Sequence, residues 1–242
     1  MKIYDCTTFH SEHMMMDVRF NALNEYVYKF IVAESLYSHS GEKKKLNFNI
    51  NNYPKFKDKI IYLVIDREPD DLINPLNENG YHKRINSIKR IELSYDFMML
   101  EIEKLSDNDL IILSDNDEIP NLDSTQFKES NSDIYIFKQL FFYYKFNLLY
   151  DRMHWFGSKA CIKKKLKSLS WLRNLKNKKY PFWRVDTFFS KTKNSNLEII
   201  NDGGWHFTNV MSAENLYTKM TNFGHHDEFE LSGLSVEDLK IK

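Results

Sequence analysis

Short apolar segments alternate with helical stretches through the first half of this 242-residue chain, and each apolar segment leads to an acidic residue. The predicted strands are Lys2 to Cys6, Lys29 to Ala33, Ile60 to Ile65 and Leu110 to Leu113. The acidic residues at their ends are Asp5, Glu34, Asp66 and Asp115. Strands that alternate with helices favour a mostly parallel sheet, and such sheets bind ligands at the carboxyl ends of their strands. The pattern therefore predicts an α/β fold with a polar ligand-binding edge.

The rest of the chain adds further elements of the same kind. Helical spacing is present in residues 11–28, 81–105 and 213–222. Further β-prone segments are Ile134 to Phe137, Leu140 to Tyr144 and Leu197 to Ile200. No G-x-G-x-x-G turn follows the first strand and no G-x-x-x-x-G-K-[ST] segment is present, which excludes the usual dinucleotide and P-loop sites. We predict one domain over residues 1–242.

The composition limits the classes of function. Lys plus Arg and Asp plus Glu both number 34, so the formal net charge is zero, which argues against a general nucleic-acid binder. The two cysteines, Cys6 and Cys161, form no metal-spaced cluster, and a reducing compartment is the simpler setting for them. No signal peptide is visible, and no apolar run approaches the roughly 20 residues that cross a bilayer. We expect a cytoplasmic protein without a membrane span, whose oligomeric state the sequence leaves open.

The acidic segment after the fourth predicted strand is the strongest candidate site. Asp115 and Asp117 lie two residues apart, with Glu118 beside them, directly after the apolar run Leu110 to Leu113. Carboxylates this close repel one another unless a cation lies between them, and hard oxygen ligands suit Mg²⁺ or Mn²⁺ shared with a substrate phosphate. The alternative is a simple turn, because Asp and Asn side chains bond to their own backbone. The preceding strand makes the metal site as good an interpretation as the turn.

A second candidate site is the segment Asn201-Asp-Gly-Gly-Trp-His-Phe207. Paired glycines let the backbone approach a ligand closely, and Trp205 offers a flat face for a sugar ring or a base. His206 can bind a metal ion or a phosphate. The alternative, which the residues by themselves favour, is a hairpin turn followed by a core tryptophan and a hydrogen-bonded histidine.

Four further segments have both a functional and a structural interpretation. Arg84, on the predicted helix 81–105, can clamp a diphosphate, although a solvated helix face is the more common outcome. The aromatic segment 141–150 is typical of a core, but its tyrosines can also line a carbohydrate groove. The His-His-Asp-Glu segment 225–228 can supply a metal ligand or a base, or lie on the surface. The basic stretch 163–179 is expected to be a solvated face.

Taken in order along the chain, several segments resemble glycosyltransferase family 17, which includes the bisecting β-1,4-N-acetylglucosaminyltransferases. The specific matches are Ser114-Asp-Asn-Asp-Glu-Ile-Pro120 and Gly203-Gly-Trp-His-Phe207. Supporting matches are Ile3-Tyr-Asp-Cys-Thr-Thr-Phe9 with Glu12, Asp17-Val-Arg19, Phe30-Ile-Val-Ala-Glu34, His39-Ser-Gly41, Lys59-Ile-Ile-Tyr-Leu-Val64, Lys83-Arg84, Phe142-Tyr-Tyr144 and Trp155-Phe-Gly-Ser-Lys-Ala160. Their order and spacing cover nearly the whole chain. Lys83 and the lysine-rich loop after Gly41 depart from the family pattern.

The resemblance implies a GT-A fold, a nucleotide-sugar-binding mixed sheet that is mostly parallel and flanked by helices. It implies a metal-dependent, inverting transfer from a UDP-sugar, with UDP-N-acetylglucosamine as the expected donor, to a glycan or other hydroxyl acceptor. Mn²⁺ or Mg²⁺ held by Asp117, with Asp115 and His206, would stabilise the departing diphosphate. The residues expected to contact the donor are Asp5, Glu34, Arg84, Asp115 and Trp205.

Inversion by direct displacement also needs a carboxylate that takes the proton from the acceptor hydroxyl. Asp202 is the first candidate, because it flanks the Gly-Gly-Trp-His segment, and Asp227 is the second. Asp186 and Glu228 follow them.

Two other functions remain open at this point. A haloacid dehalogenase-type phosphohydrolase also places Asp-x-Asp after a strand, but usually near the N-terminus and followed by Thr or Val rather than by Glu-Ile-Pro. A non-catalytic carbohydrate-binding protein would account for the aromatic residues and would need neither a nucleotide nor a metal ion.

Overall fold

The computed structural model describes residues 1–73, 80–181, 183–222 and 233–240. Its strands are β1 (Ile3–Thr8), β2 (Lys29–Ser35), β3 (Ile60–Ile65), β4 (Leu110–Leu113), β5 (Glu118–Pro120), β6 (Ile134–Phe137), β7 (Gln139–Tyr143), β8 (Leu149–Trp155), β9 (Lys159–Ile162), β10 (Glu198–Ile200) and β11 (Gly204–Thr208). Its helices are α1 (His13–Leu23), α2 (Gly80–Ile102), α3 (Thr125–Glu129), α4 (Leu169–Asn174), α5 (Asp186–Phe189), α6 (Ala213–Asn222) and α7 (Val236–Lys240).

The larger sheet of the described residues has seven strands in the order β10-β6-β9-β4-β1-β2-β3. Strand β9 runs antiparallel to its neighbours β4 and β6, and the other neighbouring pairs are parallel. The predicted architecture, a mixed α/β sheet that is mostly parallel and flanked by helices, is therefore confirmed.

Strand β4 shows why its sequence is continuously apolar. All four residues of Leu110–Leu113 are buried, because the strand lies in the middle of the sheet with side chains packed on both faces. Its even-numbered residues pack in one core cluster with Phe20 of α1 and Phe30 of β2. Its odd-numbered residues pack in a second cluster with Met98 of α2. The strand therefore ends at a fixed place, and the acidic segment begins there.

A smaller sheet, with the order β5-β11-β7-β8, joins the two segments that the sequence singled out. Strand β5 follows the acidic segment and pairs antiparallel with β11, so that Glu118 lies opposite His206 and Pro120 opposite Gly204. Gly204 has a φ of 104°, and a Cβ atom there would lie 2.2 Å from the carbonyl oxygen of Ile119. This position therefore requires glycine, both for its backbone conformation and for the close approach of β5.

Strand β1 is longer than predicted, and this changes the position of Asp5. The strand continues to Thr8, so Asp5 lies in its middle and not at its carboxyl end. The continuation was not predicted because Thr7 and Thr8 are polar, although threonine is a good strand former.

Among the helices of the described residues, none combines the length and the apolar character needed to cross a bilayer.

Candidate functional site

A cavity of about 540 Å³, called here the main cavity, lies at the carboxyl ends of β1, β2 and β4. Thr8 at the end of β1, Ser35 at the end of β2 and Asp115 after β4 line it. Helix α2 contributes Arg84 and helix α4 contributes Arg173. The volume is typical of small-molecule sites, and the position is the ligand edge that the strand pattern predicted.

The acidic segment is anchored from below by Arg19 of α1, which is fully buried. Its guanidinium donates to both carboxylate oxygens of Asp5, with 2.7 Å between Nε and Oδ2. The same side chain donates to the carbonyl oxygens of Asp115 at 3.1 Å and Glu118 at 2.6 Å. A buried ion pair thus fixes the backbone on both sides of Asp117.

Glu118 is a structural acid inside the same turn. It is fully buried and accepts hydrogen bonds from the backbone N–H of Asp115 at 2.9 Å and from Nε1 of Trp155 at 2.6 Å. Arg173 also donates to it, at 3.2 Å. Burial raises the pKa of Glu118, and the positive charge of Arg173 opposes that change. These three donors satisfy the carboxylate of Glu118 with hydrogen bonds, so its role is to orient the acidic segment and Arg173.

Asp115 faces the main cavity beside Arg173. Oδ2 of Asp115 lies 2.7 Å from Nη2 of Arg173, and the side chain of Asp115 keeps 46% of its surface exposed. The negative charge of Asp115 raises the pKa of Arg173, so the guanidinium stays charged. Lys159 supports this arrangement from behind, because its Nζ donates to the carbonyl oxygen of Arg173 at 2.7 Å. Burial, with Arg173 next, lowers the pKa of Lys159 to about 8.

Asp117 is buried at the far end of the same turn. Its Oδ1 lies 3.6 Å from Nε2 of His206, and its Oδ2 lies 3.5 Å from Nζ of Lys219. Burial opposes ionisation of Asp117, but His206 and Lys219 outweigh it and lower the pKa of the carboxyl group. Asp117 is therefore a buried carboxylate held in its charged form at the edge of the main cavity.

His206 is held by aromatic packing on the other side of Asp117. Its ring stacks on Trp155, with 4.6 Å between centroids, and meets Phe141 edge-on at 5.0 Å. Within the described residues, its Nδ1 atom is buried and has no hydrogen-bond partner. The other ring nitrogen, Nε2, is directed at the carboxylate of Asp117.

A second cavity of about 380 Å³, called here the side cavity, adjoins the main one. Glu12, Asp117 and Lys219 line both cavities. The side cavity is lined further by Ser11, His13, Met14, Met15, Phe207, Val210, Met211 and Asn215. The two cavities therefore meet at one cluster of two carboxylates and an ammonium group.

Two acids predicted to contact the donor are placed where a ligand cannot reach them. Asp5 is fully buried under the acidic segment and bound by Arg19. Glu34 is also fully buried, and it accepts hydrogen bonds from Lys44, Tyr62 and the backbone N–H groups of residues 47 and 48. The two predictions of ligand contact are therefore wrong, because each buried carboxylate is hydrogen-bonded to neighbouring segments of the protein.

Trp205, Asp202 and Asp186 also lie away from both cavities. Side chains alternate along β11, so Trp205 points to the face opposite His206 and is 37% exposed there. Asp202 lies in the exposed turn before β11 and accepts a hydrogen bond from Asn121 at 2.9 Å. Asp186 pairs with Arg184 and Lys193, which lower its pKa. These positions do not fit the predicted stacking role of Trp205 or the predicted base role of Asp202 and Asp186.

The remaining predicted residues divide into three groups. The structure brings Arg84, Asp115 and Asp117 to the main cavity, with His206 against Asp117. Asp227 and Glu228, with the two preceding histidines, lie outside the described residues. Within the aromatic segment, Phe141 is buried as predicted for a core, whereas Tyr144, Phe146 and Tyr150 are exposed.

Three residues of the site were missed by the sequence analysis as candidates for a role. Arg173 lies inside the basic stretch that was expected to be a solvated face, and the surrounding lysines gave no reason to single it out. Lys219 is one polar residue of an ordinary amphipathic helix. Glu12 was noted only within a supporting match of the resemblance. Each of them reaches the site through packing of distant elements, which no local pattern records.

Comparisons with known proteins place the chain in a family. The sequence model described as glycosyltransferase family 17 matches residues 1–241. None of the curated proteins searched matches the chain. Among solved structures, the inositol-1-phosphate CTP transferase from T. maritima is similar, with a TM-score of 0.40 and 11% sequence identity over 91% of this chain and 96% of that chain.

Proposed function

This chain belongs to glycosyltransferase family 17, and we propose that it transfers a sugar from a UDP-sugar to a carbohydrate hydroxyl group with inversion at the anomeric carbon. UDP-N-acetylglucosamine is the proposed donor, and a divalent metal ion is the proposed cofactor. The observation that carries the proposal is the acidic segment at the carboxyl edge of the sheet, where Asp115 and Asp117 border a cavity lined by basic side chains.

The basic side chains match the charge of a diphosphate. The main cavity is lined by Lys44, Arg84, Arg90, Arg173 and Lys219. Hydrogen bonds between such groups and phosphate oxygens are charge-assisted and are stronger than neutral ones. Arg173 is already oriented by Asp115 and Glu118, so little rearrangement is needed when the diphosphate binds. A nucleoside diphosphate is therefore a better match to this cavity than a neutral sugar alone.

Asp117 and His206 are suited to be ligands of the proposed metal ion. The carboxylate of Asp117 is charged and lines the cavity, and the imidazole of His206 is directed at it. Within the described residues, no group of three or more His, Cys, Asp or Glu side chains could hold a metal ion unaided. Mg²⁺ does not require such a group, because it is usually held by one or two carboxylates together with water and substrate phosphates. Asp117 would hold the ion, assisted by His206, and the ion would supply positive charge to the departing diphosphate.

The side chains of the protein perform the remaining work. Arg173 and Lys219 neutralise negative charge that develops on the leaving diphosphate. Asp115 accepts a hydrogen bond from Arg173 through one oxygen and presents its exposed surface to ribose or sugar hydroxyls. Glu118 and Arg19 hold the acidic segment in place, so the charged groups are positioned before the substrate arrives.

Thermal unfolding with UDP, in the presence and absence of Mn²⁺, tests the proposal. A ligand that binds only the folded protein at about 100 times its Kd adds about 2.7 kcal/mol to the free energy of unfolding. We expect UDP with Mn²⁺ to raise the Tm by several degrees, and UDP without the metal to raise it less. A haloacid dehalogenase-type phosphohydrolase would cleave phosphate esters and a carbohydrate-binding protein would respond to glycans without UDP. The absence of any shift with UDP and Mn²⁺ would count against the transferase.

Replacing Arg173 by Met should lower the rate of sugar transfer by about 100-fold, since a positioned donor to developing charge typically contributes that much. The loss should appear mainly in kcat, because the arginine is aimed at charge that grows as the diphosphate leaves. Arg184→Met is the matched control, because Arg184 is exposed and pairs with Asp186 away from both cavities. Equal activities of the two variants in a UDP-release assay would remove Arg173 from the site.

A further inference from the structure

We propose that the side cavity binds the acceptor as a neutral sugar and that Glu12, where the two cavities meet, takes the proton from the attacking hydroxyl. The proposal rests on the transferase function given above and extends it to the acceptor and to the base. It replaces Asp202, which lies away from both cavities.

The meeting of the cavities defines where the base must lie. If the diphosphate of the donor occupies the main cavity, the acceptor approaches the anomeric carbon from a neighbouring space. A base for that acceptor must reach both spaces, because a proton is transferred only over hydrogen-bond distance. Glu12 and Asp117 are the carboxylates that line both cavities among the described residues.

Of these two carboxylates, Glu12 is the one that remains available. Asp117 lies against His206 and Lys219 and is the proposed metal ligand. Oε2 of Glu12 accepts hydrogen bonds from Nδ2 of Asn116 at 2.9 Å and from the backbone N–H of Ser11 at 3.1 Å. Within the described residues, its Oε1 accepts no hydrogen bond. Glu12 is therefore oriented through one oxygen and open to a substrate through the other.

Asn116 connects this base to the donor site. It is the residue between Asp115 and Asp117, and its amide group reaches Glu12 at the start of α1. One short turn thus sets the distance between the base and the proposed metal ligand. Arg19 holds this turn by donating hydrogen bonds to the carbonyl oxygens of Asp115 and Glu118. This contact gives the middle residue of the acidic segment a positioning role.

The lining of the side cavity indicates a neutral acceptor. Apart from the three residues that it shares with the main cavity, the described residues that line it carry no Asp, Glu, Lys or Arg side chain. Phe207, Val210 and Met211 offer apolar surface, whereas Ser11 and Asn215 offer hydrogen-bonding groups. A sugar ring has C–H faces and hydroxyl edges, so it suits this mixture. A phosphate or carboxylate on the acceptor would meet Glu12 and Asp117, and among the described lining residues it would find, besides Lys219, the imidazole of His13, which already contacts Tyr53.

The sugar is transferred to the acceptor in a single displacement. The oxygen of the acceptor hydroxyl forms a bond to the anomeric carbon, and the bond between that carbon and the phosphate oxygen breaks. The bonding electron pair leaves with the nucleoside diphosphate, whose charge Arg173 and Lys219 neutralise. The hydroxyl proton passes to Oε1 of Glu12, and from there to solvent.

The variant Glu12→Gln tests the base. Glutamine keeps an oxygen that can accept from Asn116, so the fold and the donor site should persist. We expect transfer from UDP-N-acetylglucosamine to fall by about 100-fold or more, while the Tm shift caused by UDP with Mn²⁺ stays unchanged. Asp17→Asn is the control on helix α1, which begins directly after Glu12. Asp17 is exposed and lines neither cavity, so this variant should keep the wild-type rate.

The outcomes separate this proposal from the one on which it rests. If the wild-type protein shows no UDP shift and no transfer, the donor site is wrong and the base falls with it. If the wild type binds UDP and Glu12→Gln transfers at the wild-type rate, only the base is wrong. If Glu12→Gln loses the UDP shift together with activity, Glu12 supports the donor site and is not the base.

A second variant tests the acceptor site without touching the proposed catalytic groups. Met211→Trp would fill part of the side cavity, so the KM for the acceptor should rise at least 10-fold with an unchanged UDP shift. The probes are methyl glycosides of mannose, galactose and N-acetylglucosamine, compared with mannose 6-phosphate and galacturonic acid. Transfer to a neutral glycoside supports the proposal, and transfer only to the anionic sugars or an unchanged KM in Met211→Trp overturns it.

Discussion

Replacing Asp117 by Asn is expected to lower metal-dependent sugar transfer about 1,000-fold while the protein stays folded. The substitution removes the charge of a buried carboxylate that lines both cavities, and with it the proposed ligand of the metal ion. Asparagine has nearly the same shape, so packing against His206 should change little. Transfer from UDP-N-acetylglucosamine, measured over a series of Mn²⁺ concentrations, should show both a lower maximal rate and a weaker response to the metal.

Asp123→Asn is the matched control for this variant. Asp123 lies six residues further along the chain, is exposed, and pairs with Lys128 outside both cavities. It should retain wild-type transfer and wild-type metal dependence. Full activity of Asp117→Asn would show that the metal ion, if needed, is bound elsewhere.

Replacing Asp5 by Ala is expected to lower the free energy of unfolding by about 3–5 kcal/mol, the usual cost of breaking a buried ion pair from one side. The substitution leaves the guanidinium of Arg19 fully buried without its counterion. Equilibrium unfolding in urea should show a lower midpoint with an unchanged slope. A loss below about 1 kcal/mol would mean that water reaches Arg19 in solution.

The double variant Asp5→Leu, Arg19→Met separates stability from function at the same place. Replacing both charges with apolar side chains often restores the stability that a single substitution removes. Activity should not return, because methionine cannot donate to the carbonyl oxygens of Asp115 and Glu118. Recovery of both stability and transfer in the double variant would show that Arg19 contributes to stability but is not needed for the geometry of the acidic segment.

The central part of the fold could be predicted because its signals are local. A run of apolar residues such as Leu110–Leu113 has one stable environment, the middle of a sheet, and the acidic residues after it must then lie at the edge. The same reasoning failed for Asp5, since nothing local shows that β1 continues through two threonines. An acid after an apolar run can serve a ligand or a buried arginine, and the partner decides which.

Partners that are distant in the sequence explain the other differences. The carboxylate of Glu34 binds the segment that contains Lys44. The pairing of β11 with β5 decides which side chains of β11 face the site, and Trp205 faces the other way. Arg173 becomes part of the site because Glu118 and Lys159 hold it there. Spacing along one strand or helix contains none of this information.

The contact of Arg19 with two carbonyl groups also affects how the molecule loses its structure. Proteins open locally in cooperative units, and elements that share buried contacts open together. Helix α1 cannot detach without breaking the contact with Asp5 and releasing the backbone of the acidic segment. We therefore expect the proposed donor site and α1 to open as one unit, so that partial denaturation abolishes the site in one step.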